Sequence, residues 1–184
     1  MNLTEYITVY RGGLDKHCCQ KLLKAYSLIP NEKHTWYHQH KESYSLSDDL
    51  EPSVNWPEYP SYINEVIKGK IKDYSLKHSD LLFVGSHTPL RINKYVKGNI
   101  MDKHVDHIHS IFDGKIKGIP IVSVIIGLND DYKGGDLVFF NGWNEKKYRL
   151  GRGDMIIFPS CFLYPHRVKS ITSGIRYTAV TWGI

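Results

Sequence analysis

The sequence predicts an α+β chain that is mainly β, with helices first and a C-terminal half folded as a sandwich or barrel. Three observations carry this. Two segments near the start place apolar residues at helical spacing. From residue 80 onward, short β-branched or aromatic runs follow one another between Gly, Asp, Asn and Ser turns. The 184 residues, 41% hydrophobic and 23% charged, suffice for one domain with a sizeable core and are too few for two ordinary ones.

Taken in order, "YITVYRGGL" alternates like a short strand and ends in a Gly-Gly turn. "LDKHCCQKLLKAYSLI" has helical spacing, with Asp15 placed to cap it or sit in its first turn. Residues 30–60 hold four prolines, two tryptophans and three tyrosines without apolar periodicity, and read as a long aromatic loop. "SYINEVIKGKIKDYSLKH" is a second amphipathic helix, and seven strands follow: "LLFVGS", "PLRINKYV", "IPIVSVIIGL", "GDLVFF", "DMIIFPS", "HRVKSI" and "RYTAVTWGI".

The chain carries a net charge of +5 without a dense Lys/Arg stripe, so a solvated basic surface is the plain reading and an acidic partner such as nucleic acid the alternative. No apolar run reaches the length of a membrane span, so no membrane partner is expected. The start lacks a basic segment followed by an apolar one, and the three cysteines, Cys18, Cys19 and Cys161, suit no disulfide framework. The expected compartment is the cytoplasm. Nothing in the sequence specifies an oligomeric state.

The densest chemistry lies in "MDKHVDHIHSIF", residues 101–112. In an extended segment Asp102, His104 and Asp106 share one face, and His107 and His109 the other. His-x-Asp alone is a weak signal: His78 with Asp80 repeats it, and His40 with Glu42 forms a His-x-Glu. The best third ligand is His166, which opens a strand after "PSCFLYP". Two His and one Asp leave three adjacent positions open on an octahedral metal, as in non-haem Fe(II) oxygenases. Arg176, ten residues after His166, can hold a carboxylate bidentately, so a 2-oxoacid could chelate iron at one end and meet Arg176 at the other. His17, His34 and His38 read as helix-surface or loop residues.

The stretches "KYVKGNIMDKHVD", "GGDLVFF" and "GDMIIFPSCFLYPHRVKSITSGIRYTAVTW" together resemble the 2-oxoglutarate- and Fe(II)-dependent dioxygenases, in their prolyl 4-hydroxylase-like branch. The resemblance covers residues 80–184 and matches the start only in outline. It implies a double-stranded β-helix, a jelly roll supported by N-terminal helices, and one catalytic domain over 1–184: helical support and an aromatic lid loop at 1–79, a jelly-roll core at 80–184. It implies Fe(II) held by His104, Asp106 and His166, with 2-oxoglutarate bound by Arg176, Tyr95 and Thr178. Trp182 falls on the substrate side, and the aromatic loop adds Trp36, Tyr37 and Trp56 as lid residues. O2 is the cosubstrate and ascorbate an optional reductant.

The implied reaction hydroxylates a prolyl residue in a protein or peptide and decarboxylates 2-oxoglutarate to succinate and CO2. The alternatives are the same chemistry on nucleic acid (oxidative demethylation) or on a small molecule, and a non-catalytic cupin-like metal-binding protein. Gly134 and Gly135 match the family's Gly-Gly before a core strand and are also simply a tight turn; Leu137 stands at the pocket wall or in the core. Two departures stand out. Met101 replaces an aromatic residue common in prolyl hydroxylases, and "SIFDGKIKGIP" has no clear counterpart. Asp106 argues against the related halogenases, which lack that carboxylate.

Overall fold

A computed structural model describes residues 2–34, 36–38, 41–44, 51–78, 84–106, 112–113, 117–141 and 144–184; at 36–38, 41–44, 112–113, 117–118 and 141 it describes the backbone alone. The chain begins with a 3-10 turn over Leu3–Tyr6 and strand β1 over Thr8–Tyr10. Helix α1 spans Lys16–Tyr26, and the Asp15 carboxylate caps it by accepting from the Cys18 amide at 2.7 Å. Four short strands follow: β2 (Glu32–Lys33), β3 (Trp36–His38), β4 (Lys41–Tyr44) and β5 (Ser53–Asn55). Helix α2 spans Tyr62–His78. Then come β6 (Arg91–Tyr95), β7 (Met101–His104), β8 (Phe112–Asp113), β9 (Lys117–Gly118), β10 (Val122–Gly127) and β11 (Lys133–Gly134). The last six are β12 (Leu137–Asn141), β13 (Asn144–Tyr148), β14 (Met155–Pro159), β15 (His166–Val168), β16 (Ile171–Ser173) and β17 (Arg176–Gly183).

The strands form an antiparallel seven-stranded sheet, β1-β14-β10-β17-β6-β5-β2, and a four-stranded sheet, β13-β12-β15-β7, with small two-stranded ladders beside them. The large sheet is buried on both faces, and strand parity divides its side chains. Ile92, Val124, Ile126, Met155, Ile157 and Ala179 pack under the helices, against Leu22, Ile63, Ile67 and Tyr74. Their neighbours Tyr95, Ile125, Ile156, Phe158 and Val180 face the small sheet and meet Leu137, Phe139 and Val168. These are the two facing sheets of a double-stranded β-helix, with the helices on the outside.

The stretch 30–60 departs from the predicted loop. β3 and β4 pair as a hairpin, and β5 joins the large sheet beside β6, with Val54 opposite Asn93. The prolines that suggest a loop flank the pairing segment rather than interrupt it. With β1 on β14, strands from the first 79 residues line both ends of the large sheet.

Helix α2 is held by Ile63, Ile67, Ile71 and Tyr74, a stripe at helical spacing. Ile67 is fully buried. Ile67→Ala is expected to cost about 2–5 kcal/mol of stability, read as a lower denaturant midpoint. Metal affinity should not change, because this face of the sheet is opposite the cavity described next.

Candidate active site

The short sheet brings two histidines together by register. In β15 and β7, His166 stands directly opposite His104, and Phe139 of β12 stands on the other side of His166. Opposed residues of an antiparallel pair project side by side, and the two imidazole centroids lie 4.3 Å apart. Asp106 sits two residues beyond the end of β7, with a carboxylate oxygen 3.5 Å from His104 Nε2 and 3.9 Å from His166 Nε2. The three potential ligand atoms lie within 4.8 Å of one another, the one such His, Cys, Asp or Glu cluster among the described residues.

Their hydrogen bonds fix which nitrogen faces the cluster. His104 Nδ1 lies 2.7 Å from the Asp102 carbonyl, and His166 Nδ1 lies 3.0 Å from the Tyr164 carbonyl. A carbonyl only accepts, so each Nδ1 carries the proton and each Nε2 lone pair is left towards the cluster. Burial, reinforced by His104, pushes the His166 pKa down to about 4. Its imidazole is therefore neutral at pH 7, the form that binds metal. Burial pushes the Asp106 carboxyl up, but the facing His166 and His104 and a hydrogen bond from Ser123 outweigh it and hold it below the usual carboxylate range. Two imidazoles and one carboxylate suit Fe(II).

The cluster lies in a small cavity lined by Arg91, Asn93, Tyr95, His104, Asp106 and Arg176, with Leu137, Thr178 and Val180 among the others. Arg176, the first residue of β17, is only 2% exposed. Its Cζ lies 4.8 Å from the Tyr95 ring centroid. Its Nε and Nη1 have no acceptor among the described residues, and neither does the Thr178 hydroxyl two residues on. A buried cation without a counter-charge is costly, and a carboxylate arriving between Arg176 and Thr178 would satisfy it. The residues thus fit a dicarboxylate such as 2-oxoglutarate on the same observation that makes them costly without one.

Gly135 makes room for this guanidinium. It has φ +70°, and a Cβ there would stand 2.9 Å from Arg176 Cδ.

Of the other sequence candidates, Asp102 is exposed, and its carboxylate accepts from the Lys103 amide at 2.7 Å. His34 is buried rather than a surface loop residue, with Nδ1 3.5 Å from a Glu51 carboxylate oxygen. Burial lowers its pKa, with Glu51 opposing the shift and the nearby Arg91 adding to it. Trp56 is 50% exposed and does not line the cavity. Trp182 stacks on Arg91, whose Cζ is 5.1 Å from the indole centroid. Trp36 and Tyr37 lie in β3, but their side chains, like His40, His107, His109 and Asp80, fall outside the described residues.

Sequence reasoning missed Arg91, Asn93 and Ser123. The first two alternate with Tyr95 on one face of β6, a parity visible in "RINKY". Ser123 is a polar residue at an inward position of the otherwise apolar β10, bonded to the buried Ser160 hydroxyl at 2.8 Å.

Comparison with known proteins agrees with this geometry. The model of the 2OG-Fe(II) oxygenase superfamily matches residues 90–183. A PKHD-type hydroxylase of Rippkaea orientalis is 47% identical over 53 residues, 29% of this chain and 23% of that protein. One from Thermosynechococcus vestitus is 44% identical over 63 residues, 33% of this chain and 27% of that protein. The match thus spans about a quarter of these relatives' length. Among solved structures, a prolyl hydroxylase from Trichoplax adhaerens, in complex with a hypoxia inducible factor oxygen degradation domain peptide fragment, superposes with TM-score 0.76 at 18% identity, over 98% of this chain and 84% of that one. A Pseudomonas putida prolyl-4-hydroxylase gives 0.65 at 15% identity, over 97% and 91%. Both structures share the fold.

Proposed function

Because the chain belongs to the 2OG-Fe(II) oxygenase superfamily, we propose that it is a 2-oxoglutarate- and Fe(II)-dependent dioxygenase hydroxylating a prolyl residue in a protein or peptide. The observation that carries the reading is one cavity holding both the His104, Asp106 and His166 cluster and the unpartnered Arg176. His104 and His166 would hold iron through Nε2 and Asp106 through a carboxylate oxygen. When bound, Fe(II) and 2-oxoglutarate activate O2 for hydroxylation of an unactivated C–H bond, with succinate and CO2 as coproducts.

The protein's own work is positioning. Arg176 and Thr178 receive the distal carboxylate of 2-oxoglutarate, the Tyr95 ring fixes the guanidinium, and Ser123 orients the Asp106 carboxylate. Leu137, Val168 and Val180 keep the cavity wall apolar and limit water. Gly135→Ala, crowding the Arg176 stem, is expected to raise the KM for 2-oxoglutarate several-fold while iron binding is kept. Steady-state kinetics beside a metal titration checks this.

A prolyl substrate is supported by the hydroxylase names of the relatives and by the prolyl hydroxylases among the solved structures, one of which holds a peptide. We assign the whole chain to one catalytic domain, with 1–79 supporting the 80–184 core, and place it in the cytoplasm, where its cysteines stay reduced. No helix among the described residues is long and apolar enough to cross a membrane. The test offers proline-containing peptides with Fe(II), 2-oxoglutarate and ascorbate, and reads hydroxyproline by fragmentation mass spectrometry. Turnover with free amino acids, small molecules or methylated nucleic acid, and none with any prolyl peptide or host protein, would reject the substrate.

A further inference from the structure

The β6–β17 ladder carries two guanidinium–aromatic pairs whose arginines both line the cavity, and the cosubstrate would use one. In the ladder of β17 and β6, Arg176 is opposite Tyr95, Thr178 opposite Asn93 and Val180 opposite Arg91. Arg176 stacks on Tyr95 at one end, and Arg91 stacks on Trp182 at the other. Four residue steps separate the two ends, about 14 Å at roughly 3.4 Å per residue. A five-carbon dicarboxylate gripped by Arg176 and chelated at the metal cluster reaches only one of the two arginines.

Arg91 is built as carefully as Arg176. Its Nε donates to Asn93 Oδ1 at 3.0 Å, and the Asn93 amide donates to the Tyr95 hydroxyl at 3.3 Å, which fixes how Asn93 is turned. The stacking on Trp182 fixes the guanidinium plane. The Arg91 side chain is half-buried and lines the cavity, and the hydrogen bond it donates comes from Nε, which leaves its two amino groups for a ligand. The groups that offset its burial are Tyr95 and then Asp106, which the metal would claim. The Trp182 Nε1–H is also buried without an acceptor.

We propose that Arg91 is a specificity-determining residue that binds a carboxylate of the substrate, so that the enzyme selects substrates bearing an acid close to the C–H bond it oxidises. The two amino groups of a pinned guanidinium match the two oxygens of a carboxylate, whereas an amide carbonyl offers a single oxygen. This rests on the reading of the site given above, with 2-oxoglutarate at Arg176. On a prolyl substrate the acid is the free α-carboxylate of the proline itself or the side chain of a neighbouring Asp or Glu.

The test measures binding to the Zn(II)- and 2-oxoglutarate-loaded protein, which does not turn over. The probes are matched pairs: N-acetylproline against its amide, and a capped Gly-Pro-Asp-Gly peptide against Gly-Pro-Asn-Gly. At least one acid is expected to bind about tenfold tighter than its amide, roughly 1.4 kcal/mol, and which pair responds identifies the source of the carboxylate. Arg91→Met should erase the preference and Arg91→Lys should keep part of it, which covers the case where the methionine variant does not fold. Equal affinity within both pairs, or a preference that survives in Arg91→Met, overturns the proposal. If 2-oxoglutarate affinity does not depend on Arg176, the reading of the site has failed instead.

Discussion

Alanine at His104, Asp106 or His166 is expected to abolish iron-dependent 2-oxoglutarate turnover while both sheets stay folded. Removing a group that merely orients a ligand already costs metal sites about 10–100-fold, so loss of one of three ligands should weaken Fe(II) binding by at least about 100-fold. The fold survives because the cluster lies at the end of β7 and the start of β15, while the stabilising core is the sandwich of Ile125, Ile156, Phe158 and Leu137 and the helix-covered face. His166→Ala also leaves a gap beside Phe139 and Phe158, so Asp106→Asn, which keeps the volume, is the cleaner variant. His107→Ala should keep iron, as the alternation read from the sequence expects. Metal titration followed by circular dichroism separates the two effects, and a His107 variant that loses iron while His104→Ala keeps it would reject the parity argument.

Arg176→Ala should raise the KM for 2-oxoglutarate at least roughly tenfold. Truncating one partner of a desolvated charge pair costs on the order of 2–5 kcal/mol, and about 1.4 kcal/mol is tenfold. Stability should respond in the opposite sense. Without cosubstrate, Arg176 is a buried cation whose Nε and Nη1 are unsatisfied, so Arg176→Met should raise the melting temperature of the ligand-free protein while removing 2-oxoglutarate binding. Adding metal and 2-oxoglutarate should stabilise the wild type and not the variant. Arg176→Lys keeps the charge without the planar fork and should fall between. Unchanged cosubstrate affinity in Arg176→Ala would remove this residue from the site.

Much of this was legible in the sequence, for identifiable reasons. Strand parity places His104 and Asp106 on one side, and His166 and Arg176 fall on β15 and β17, strands of the two facing sheets that line the same cavity. The helices announce themselves through Ile63, Ile67 and Ile71, and through the Asp15 cap. The stretch 30–60 was less legible because β2 and β5 are two and three residues long, too short for alternation to be counted, and their pairing depends on distant β6. His34 and Glu51 illustrate the same limit: two polar residues of a proline-rich stretch become buried only when the chain folds back near Arg91 and His104. Arg91 itself was hidden because an arginine in a strand reads as solvated unless its face is compared with that of Tyr95.

The most direct test of the central claim is release of labelled CO2 from 2-oxoglutarate carrying carbon-14 in its keto-side carboxylate, measured with host-cell extract as the substrate source. It requires no knowledge of the substrate. The account predicts release that requires Fe(II) and O2, is abolished in Asp106→Asn, and at low cosubstrate is recovered in Arg176→Ala only by raising 2-oxoglutarate at least roughly tenfold. Release that persists in Asp106→Asn, or no iron-dependent release from the wild type, would contradict it.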